Sequence, residues 1–271
     1  MLPGVYLATK KDGTLYYRSN ITFRGKHISL GSYDSEEKAG NIYEIANRIL
    51  TDSNLLFTDY HAYTHLFPFE KWVTLFNFRD HNIYVRNPIY LRNGYFSYYL
   101  SESEELKFDI DDLFYYSSHK IIRRQGHLFV NDYGMQVSVP SRYGIRNYAV
   151  VGRDYDFVNG DSSDFRYANI KIHNPFHGVM KIEKNGLTKY KTYIHINGNY
   201  KVGIYTSEAK AAVAYNKAVD LAKSFGITKN FPENYVDELT AKQYADLYTK
   251  IKISAKYLTY LKQYQDSCSL S

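Results

Sequence analysis

From Tyr17 to Ile21 the chain alternates, with Tyr17, Ser19 and Ile21 on one face and Tyr16, Arg18 and Asn20 on the other. That is the period of a half-buried strand. Phe23-Arg24-Gly25-Lys26 reads as a tight turn, and Lys26 to Tyr33 returns with Ile28 and Leu30 inward and His27 and Ser29 outward. A short strand at Val5 to Ala8 completes an antiparallel sheet of three strands, about the minimum for independent stability. At Asp34 the period changes. Asp34 is the expected helix N-cap, with Glu37 three residues on, and Ala39, Ile42, Tyr43, Ala46 and Ile49 follow at helical spacing. Such a helix covers one face of the sheet and leaves the other bare.

The same grammar recurs. Gly4 to Arg48 is echoed by Gly178 to Ala222: Gly4 matches Gly178, Ile21 matches Ile194, Gly31-Ser32-Tyr33 matches Gly203-Ile204-Tyr205, and Tyr43-x-x-Ala46 matches Tyr215-x-x-Ala218. In the second copy Tyr190, Thr192 and Ile194 point inward, with Val202, while Lys191, Tyr193, His195 and Lys201 point outward. Thr206 or Ser207 caps a helix bearing Ala211, Ala212, Tyr215, Ala218, Val219 and Ala222, whose small side chains let helix and sheet approach closely.

Composition sharpens this picture in three ways. At 271 residues the chain exceeds one ordinary core, so two or three small domains are expected. Thirty tyrosines, each an apolar body with a polar tip, suit half-wet cores and polar interfaces. The net charge of +6 is unevenly spread: residues 1–60 hold seven basic and seven acidic side chains, whereas residues 176–236 hold nine lysines against four carboxylates. A basic balance is the footprint of a polyanion partner. The single cysteine, Cys268, excludes an intrachain disulfide framework, and neither a membrane-length apolar run nor a leader-like start is present, so a cytoplasmic protein without a membrane partner is expected.

The order GV, three-stranded sheet, L-G-x-Y, (D/T)-S-E-x-x-A and the helical Tyr-x-x-Ala resembles the Apetala2/ethylene-response-factor DNA-binding domain, particularly its bacterial and phage versions. The resemblance implies a sheet lying in the major groove of double-stranded DNA with the helix supporting it from behind, a geometry that the groove admits. It places Tyr6, Arg18, Asn20, His27 and Ser29 on the DNA face of the first copy, and Lys181, Lys191, Tyr193, His195 and Lys201 on that of the second. The family's usual strand-two tryptophan is here Tyr17 and Tyr190, and the second copy contains no arginine. Lysine is a less directional contact than arginine, so the second copy is expected to add affinity and the first more of any sequence choice.

Between the copies, residues 61–90 read as a linker whose aromatics, Trp72 among them, pack on a neighbouring domain; His61-x-x-x-His65 lacks further ligands and predicts no metal site. Residues 91–175 run through short aromatic strands punctuated by Gly94, Gly126, Gly134 and Gly144. They end in a stretch that resembles the HNH endonuclease motif, D-H-I-D/N-G-D/N-x-x-D-N-R-x-x-N-L, matched by Asp156, Val158, Asn159, Gly160, Asp161, Asp164, Arg166, Asn169 and Ile170. Phe157 stands where that family has its general-base histidine, Phe165 replaces the middle asparagine, and the upstream segment Ser141 to Ile145 lacks its histidine too. A phenyl ring accepts no proton, so the resemblance implies a degenerate, non-cleaving module with no catalytic residue, no resident cofactor, and Asp156 and Asn169 as vestiges of a metal site. Mg2+ enters only if cleavage survives with His119, His127 or His173 as a displaced base. Arg142, Arg146, Arg153 and Arg166 are expected to track phosphate, provided the acidic run Glu102 to Asp112 faces away.

Finally, Tyr244, Leu247, Tyr248, Ile251, Ala255, Leu258 and Leu261 recur at helical intervals behind Thr240, predicting one long amphipathic helix over 239–264 that caps the second copy or pairs with a second chain. The expected class is α+β: sheet-and-helix modules at 1–60 and 176–236 flanking a degenerate ββα-metal (HNH) module at 91–175, with a C-terminal helix in 237–271.

Overall fold

The computed structural model describes residues 1–269, the side chain of Cys268 lying outside the described part. The fold is α+β, as expected, built from small antiparallel sheets of two or three strands. The chain divides into two compact units, one of Met1–Tyr143 with Val158–Ile170, the other of Gly144–Phe157 with the chain from Lys171 onward. The HNH-like segment is therefore shared out, Asp156 falling to the second unit and Asn159 to Asn169 to the first.

The first unit opens with strands β1 (Val5–Thr9), β2 (Leu15–Phe23) and β3 (Lys26–Tyr33) in that spatial order, followed by helix α1 (Glu36–Thr51). Ser35, not Asp34, is the N-cap: its hydroxyl accepts the Lys38 N–H, while the Asp34 carboxylate pairs with Lys38 Nζ at 3.0 Å. The cap falls one residue later because the side chain that turns back on the first helical turn is the serine's. Ile42, Ala46 and Ile49 bury the predicted stripe in one core with Ile21, Ile28 and Leu30 of the sheet, and Ala39 is buried too.

The expected linker is a core element. Helix α2 (Phe69–His81) buries the whole run Trp72 to Phe78 and packs against α1; the Trp72 indole N–H donates to the Phe57 carbonyl over 2.9 Å. A helix buried all round has no one-sided stripe, so periodicity does not reveal it. Both helix ends here are closed by cations from elsewhere in the unit. Arg79 Nη1 donates to the Ile49, Asp52 and Leu55 carbonyls at the end of α1, and Arg24 Nη1, from the β2–β3 turn, donates to the Phe78 and Arg79 carbonyls at the end of α2. Cations there satisfy orphan carbonyls and complement the helix dipole.

Two further three-stranded sheets complete the unit: β4 (Ile89–Leu91), β5 (Tyr95–Ser101) and β6 (Glu104–Asp109), then, after helix α3 (Leu113–Ser118), β7 (Ile121–Arg124), β8 (His127–Asp132) and β9 (Met135–Ser138), closed by the short α4 (Val139–Arg142). Gly94, Gly126 and Gly134 sit in their hairpins. The 158–170 segment docks on β6: the Lys107 N–H donates to the Ser163 carbonyl and the Phe165 N–H donates to the Lys107 carbonyl. Phe165 stacks on Phe108 with ring centroids 5.6 Å apart, so this one of the two departures from the HNH pattern is a core aromatic.

A two-stranded ribbon, β10 (Tyr155–Phe157) and β11 (Ile170–Ile172), precedes the second copy in the chain: β12 (Val179–Lys184), β13 (Leu187–His195), β14 (Asn199–Tyr205) and helix α5 (Glu208–Ser224), capped by Ser207. The tail forms two helices, α6 (Ala241–Lys250) and α7 (Ala255–Ser269), instead of the single one expected. Thr240 does cap the first, in a capping box with Gln243. The break is made by tertiary contacts: Lys217 Nζ donates to the carbonyls of Tyr248, Thr249 and Ile251, and the Ser254 N–H donates to Val202 on the edge of β14 at 2.8 Å. Tyr257 and Leu261 are fully buried in the α5 core, so the tail caps the second copy.

Candidate nucleic-acid interface

The outward faces of the two sheets follow from strand pairing. In the first, Tyr6 lies opposite Arg18 and Arg18 opposite Ser32; a bulge between Ser19 and Asn20 then brings Asn20 opposite Ser29 and Thr22 opposite His27. Tyr6, Arg18, Asn20, His27 and Ser29 thus share one face, which α1 does not cover. Arg18 is held in place there, its Nε and Nη2 both donating to the Tyr16 hydroxyl at 3.1 and 2.6 Å. Thr22 Oγ1 lies 3.2 Å from His27 Nδ1.

In the second, Met180 lies opposite Lys191 and Lys191 opposite Ile204; a bulge at the matching place, between Thr192 and Tyr193, brings Tyr193 opposite Lys201 and His195 opposite Asn199. Lys191 sits over the Tyr193 ring, 4.6 Å from its centroid, and His195 Nδ1 lies 3.0 Å from Asn199 Oδ1. Lys181 requires a correction. It lies opposite Tyr190, on the helix side, where its charge opposes the burial that raises the pKa of Glu208 at the start of α5. Met180 holds the position of Tyr6, because a one-residue step along a strand changes the face. Alternation also puts Lys189, opposite Ile182, on the open face. The sequence reading missed it, although Tyr190 pointing inward already requires it. No outward paired position of either face is a carboxylate.

The four arginines expected to track phosphate are engaged by aspartates within their own units. Arg142 meets Asp112 at 2.9 Å and Arg166 meets Asp164 at 2.6 Å in the first; Arg146 and Arg153 meet Asp154 at 2.9 and 2.6 Å in the second. All three aspartates are buried, and Asp112 belongs to the acidic run that was required to face away. A buried carboxylate left unpaired costs about 3–5 kcal/mol, so these arginines balance internal charge; Arg146 is nearly buried with its partner, while Arg142, Arg153 and Arg166 keep 36%, 51% and 38% of their side chains exposed.

The HNH-like letters are likewise spent on holding a loop. Asn169 accepts the Asn159 N–H on Oδ1 and donates from Nδ2 to the carbonyls of Asp161 and Asp164; Asn159 Nδ2 donates to Asp164 Oδ2. Asp161 takes the Ser163 hydroxyl and Lys107, which pull its pKa down to about 2. In the second unit His173 Nε2 lies 2.7 Å from Asp156 Oδ2, and this contact holds the Asp156 carboxyl below its ordinary pKa. His119 instead stacks on Tyr115, and His127 lies beside Phe129 in a hairpin. Among the described residues, no group of three or more His, Cys, Asp or Glu side chains is arranged to hold a metal ion, and no helix is long and apolar enough to cross a membrane. No family model, curated protein or solved structure matches the chain.

Proposed function

We propose that the chain binds double-stranded DNA with sequence preference, each three-stranded sheet entering a major groove, and that it holds its site without cutting it, as a transcriptional regulator descended from an HNH homing endonuclease would. The observation that carries this reading is the pair of open sheet faces, each backed by a helix and each presenting cations, amides and aromatic rings with no carboxylate. A small sheet fits the width of the groove, and side chains of this kind contact phosphate and base edges. Two modules on one chain gain avidity by effective concentration. Such a protein works on DNA in the cytoplasm of a bacterial or phage-infected cell. Anisotropy titrations of the protein with duplex DNA across a salt series test the reading. Affinity falls steeply, by a log–log slope of about −0.9 per phosphate contact, and a flat response refutes it.

One observation favours retained cleavage: His173 stands beside Asp156, where a displaced base would be needed. Phe157 accepts no proton and the Asn169 carboxamide is committed to its loop, which supports holding over cutting. Supercoiled plasmid incubated with the protein and Mg2+ or Mn2+ stays supercoiled on the favoured reading. Relaxation that Asp156→Ala abolishes replaces it with a nuclease.

A further inference from the structure

We infer that Tyr16 is a positioning residue that aims Arg18 at a base edge, and that the exchange of Tyr16 for Lys189 at the matching position makes the first sheet the reader of sequence and the second a grip on phosphate. The inference rests on the DNA-binding reading above and adds to it the device that orients the guanidinium.

Tyr16 and Arg18 are two apart on β2 and therefore stand side by side on the open face, opposite Ala8 and Tyr6. The Tyr16 hydroxyl accepts from both Nε and Nη2 of Arg18, which fixes the guanidinium relative to Tyr16. Those two N–H groups form the lateral edge of the fork. The opposite edge, made by Nη1 and the second hydrogen of Nη2, stays available, and among the described residues no carboxylate pairs with Arg18. A guanidinium held in one plane with one donor pair free matches the two acceptors, O6 and N7, that guanine shows in the major groove. An unrestrained arginine would have to give up its rotamer freedom on binding; here an uncharged neighbour has already restricted it without neutralising its charge.

The second sheet has the same strand positions and different chemistry. Lys189 stands two before Lys191, opposite Ile182 and Met180. An ammonium accepts no hydrogen bond, so Lys189 cannot orient its neighbour; the Lys191 ammonium lies over the Tyr193 ring instead. Lys189, Lys191 and Lys201 together offer mobile point charges, which suit phosphates and are indifferent to sequence.

The test uses the full chain, a duplex that it recovers from a random pool, and a scrambled duplex of the same composition. Tyr16→Phe keeps the ring and removes the acceptor. It lowers the ratio of selected to scrambled affinity roughly three- to tenfold, the worth of the hydrogen bonds lost. Affinity for the scrambled duplex, the salt slope and thermal melting stay as in the wild type. Arg18→Ala lowers the ratio roughly ten- to a hundredfold, and adding Tyr16→Phe to it changes nothing more, since coupled residues are not additive. Lys189→Ala leaves the ratio intact and flattens the salt slope by about one contact. An unchanged ratio with Tyr16→Phe while Arg18→Ala lowers it overturns the positioning role alone. If the wild type prefers no duplex, or Arg18→Ala leaves its preference intact, base reading by the first sheet fails and the inference falls with it.

Discussion

In both sheet-and-helix modules the opening glycine, Gly4 or Gly178, sits at a φ of +68° beneath the helix tyrosine, Tyr43 or Tyr215. Its carbonyl accepts a strand-two N–H, from Asn20 in one module and Tyr193 in the other, at 2.9 and 2.8 Å. A serine caps the helix, and a bulge bends the sheet after Ser19 in one copy and after Thr192 in its counterpart. Against this common frame, the open faces differ residue by residue: Tyr16, Arg18, Asn20 and Ser29 in the first correspond to Lys189, Lys191, Tyr193 and Lys201 in the second. The positions that build the module are the same in both copies, while those on the open face differ. The modules also find different support. The first is buttressed by α2 with its bulky aromatics, the second by the alanine-rich flank of α5 against α6 and α7.

The largest effect is expected where the frames coincide. At either glycine a Cβ would overlap the tyrosine ring and the carbonyl oxygen of Asn20 or Tyr193, in a backbone conformation that L residues disfavour. Gly4→Ala and Gly178→Ala should each destabilise their module by about 2–4 kcal/mol, adding backbone strain to overpacking. Urea unfolding measures both; a large cost in one copy and none in the other would break the equivalence of the frames. Next comes the contrast between faces. Replacing Lys189, Lys191 and Lys201 by alanine together should reduce the log–log salt slope of duplex binding by roughly 2–3 while leaving sequence preference in place. If preference collapses as well, the second sheet reads bases and the division of labour is wrong.

The smallest effect separates two buried hydroxyls. Thr192 donates to the Ala211 carbonyl of α5 over 3.1 Å, whereas Ser19 Oγ, at the matching place, is buried with no partner among the described residues. Thr192→Val should cost about 1 kcal/mol, and Ser19→Ala should be neutral or stabilising, because removing an unsatisfied polar group removes its desolvation penalty. Thermal melting of the two variants distinguishes them, and equal losses would show that the Ser19 hydroxyl finds a partner in solution.

The strands, turns and sheet-facing helix stripes of both copies are legible because each depends on near neighbours: alternation, the Arg24-Gly25 turn, and a capping side chain at each helix start, placed to within one residue. The first open face is legible for the same reason. Lys181 falls on the wrong face when its charge is followed instead of the alternation that Tyr190 fixes, and Lys189 is missed when that alternation is not carried one residue back. The arginines of the central segment read as outward cations because the burial of their aspartates, even of the near neighbours Asp154 and Asp164, leaves no local mark in the sequence, and Arg142 and Asp112 are thirty residues apart. A partner at that distance leaves no periodic trace.

The sequence by itself determined that the chain carries two related sheet-and-helix modules of α+β class, that each leaves one sheet face open, and that the excess positive charge lies in the second. These follow from side-chain period, capping and turn chemistry, which act over a few residues. The tertiary structure alone decided that Trp72 belongs to a core helix, that the tail breaks where Lys217 takes its carbonyls, and that Asp112, Asp154 and Asp164 hold the central arginines. Each of those outcomes is set by which groups burial brings together, and a buried polar or charged group must find its partner wherever the chain has placed one.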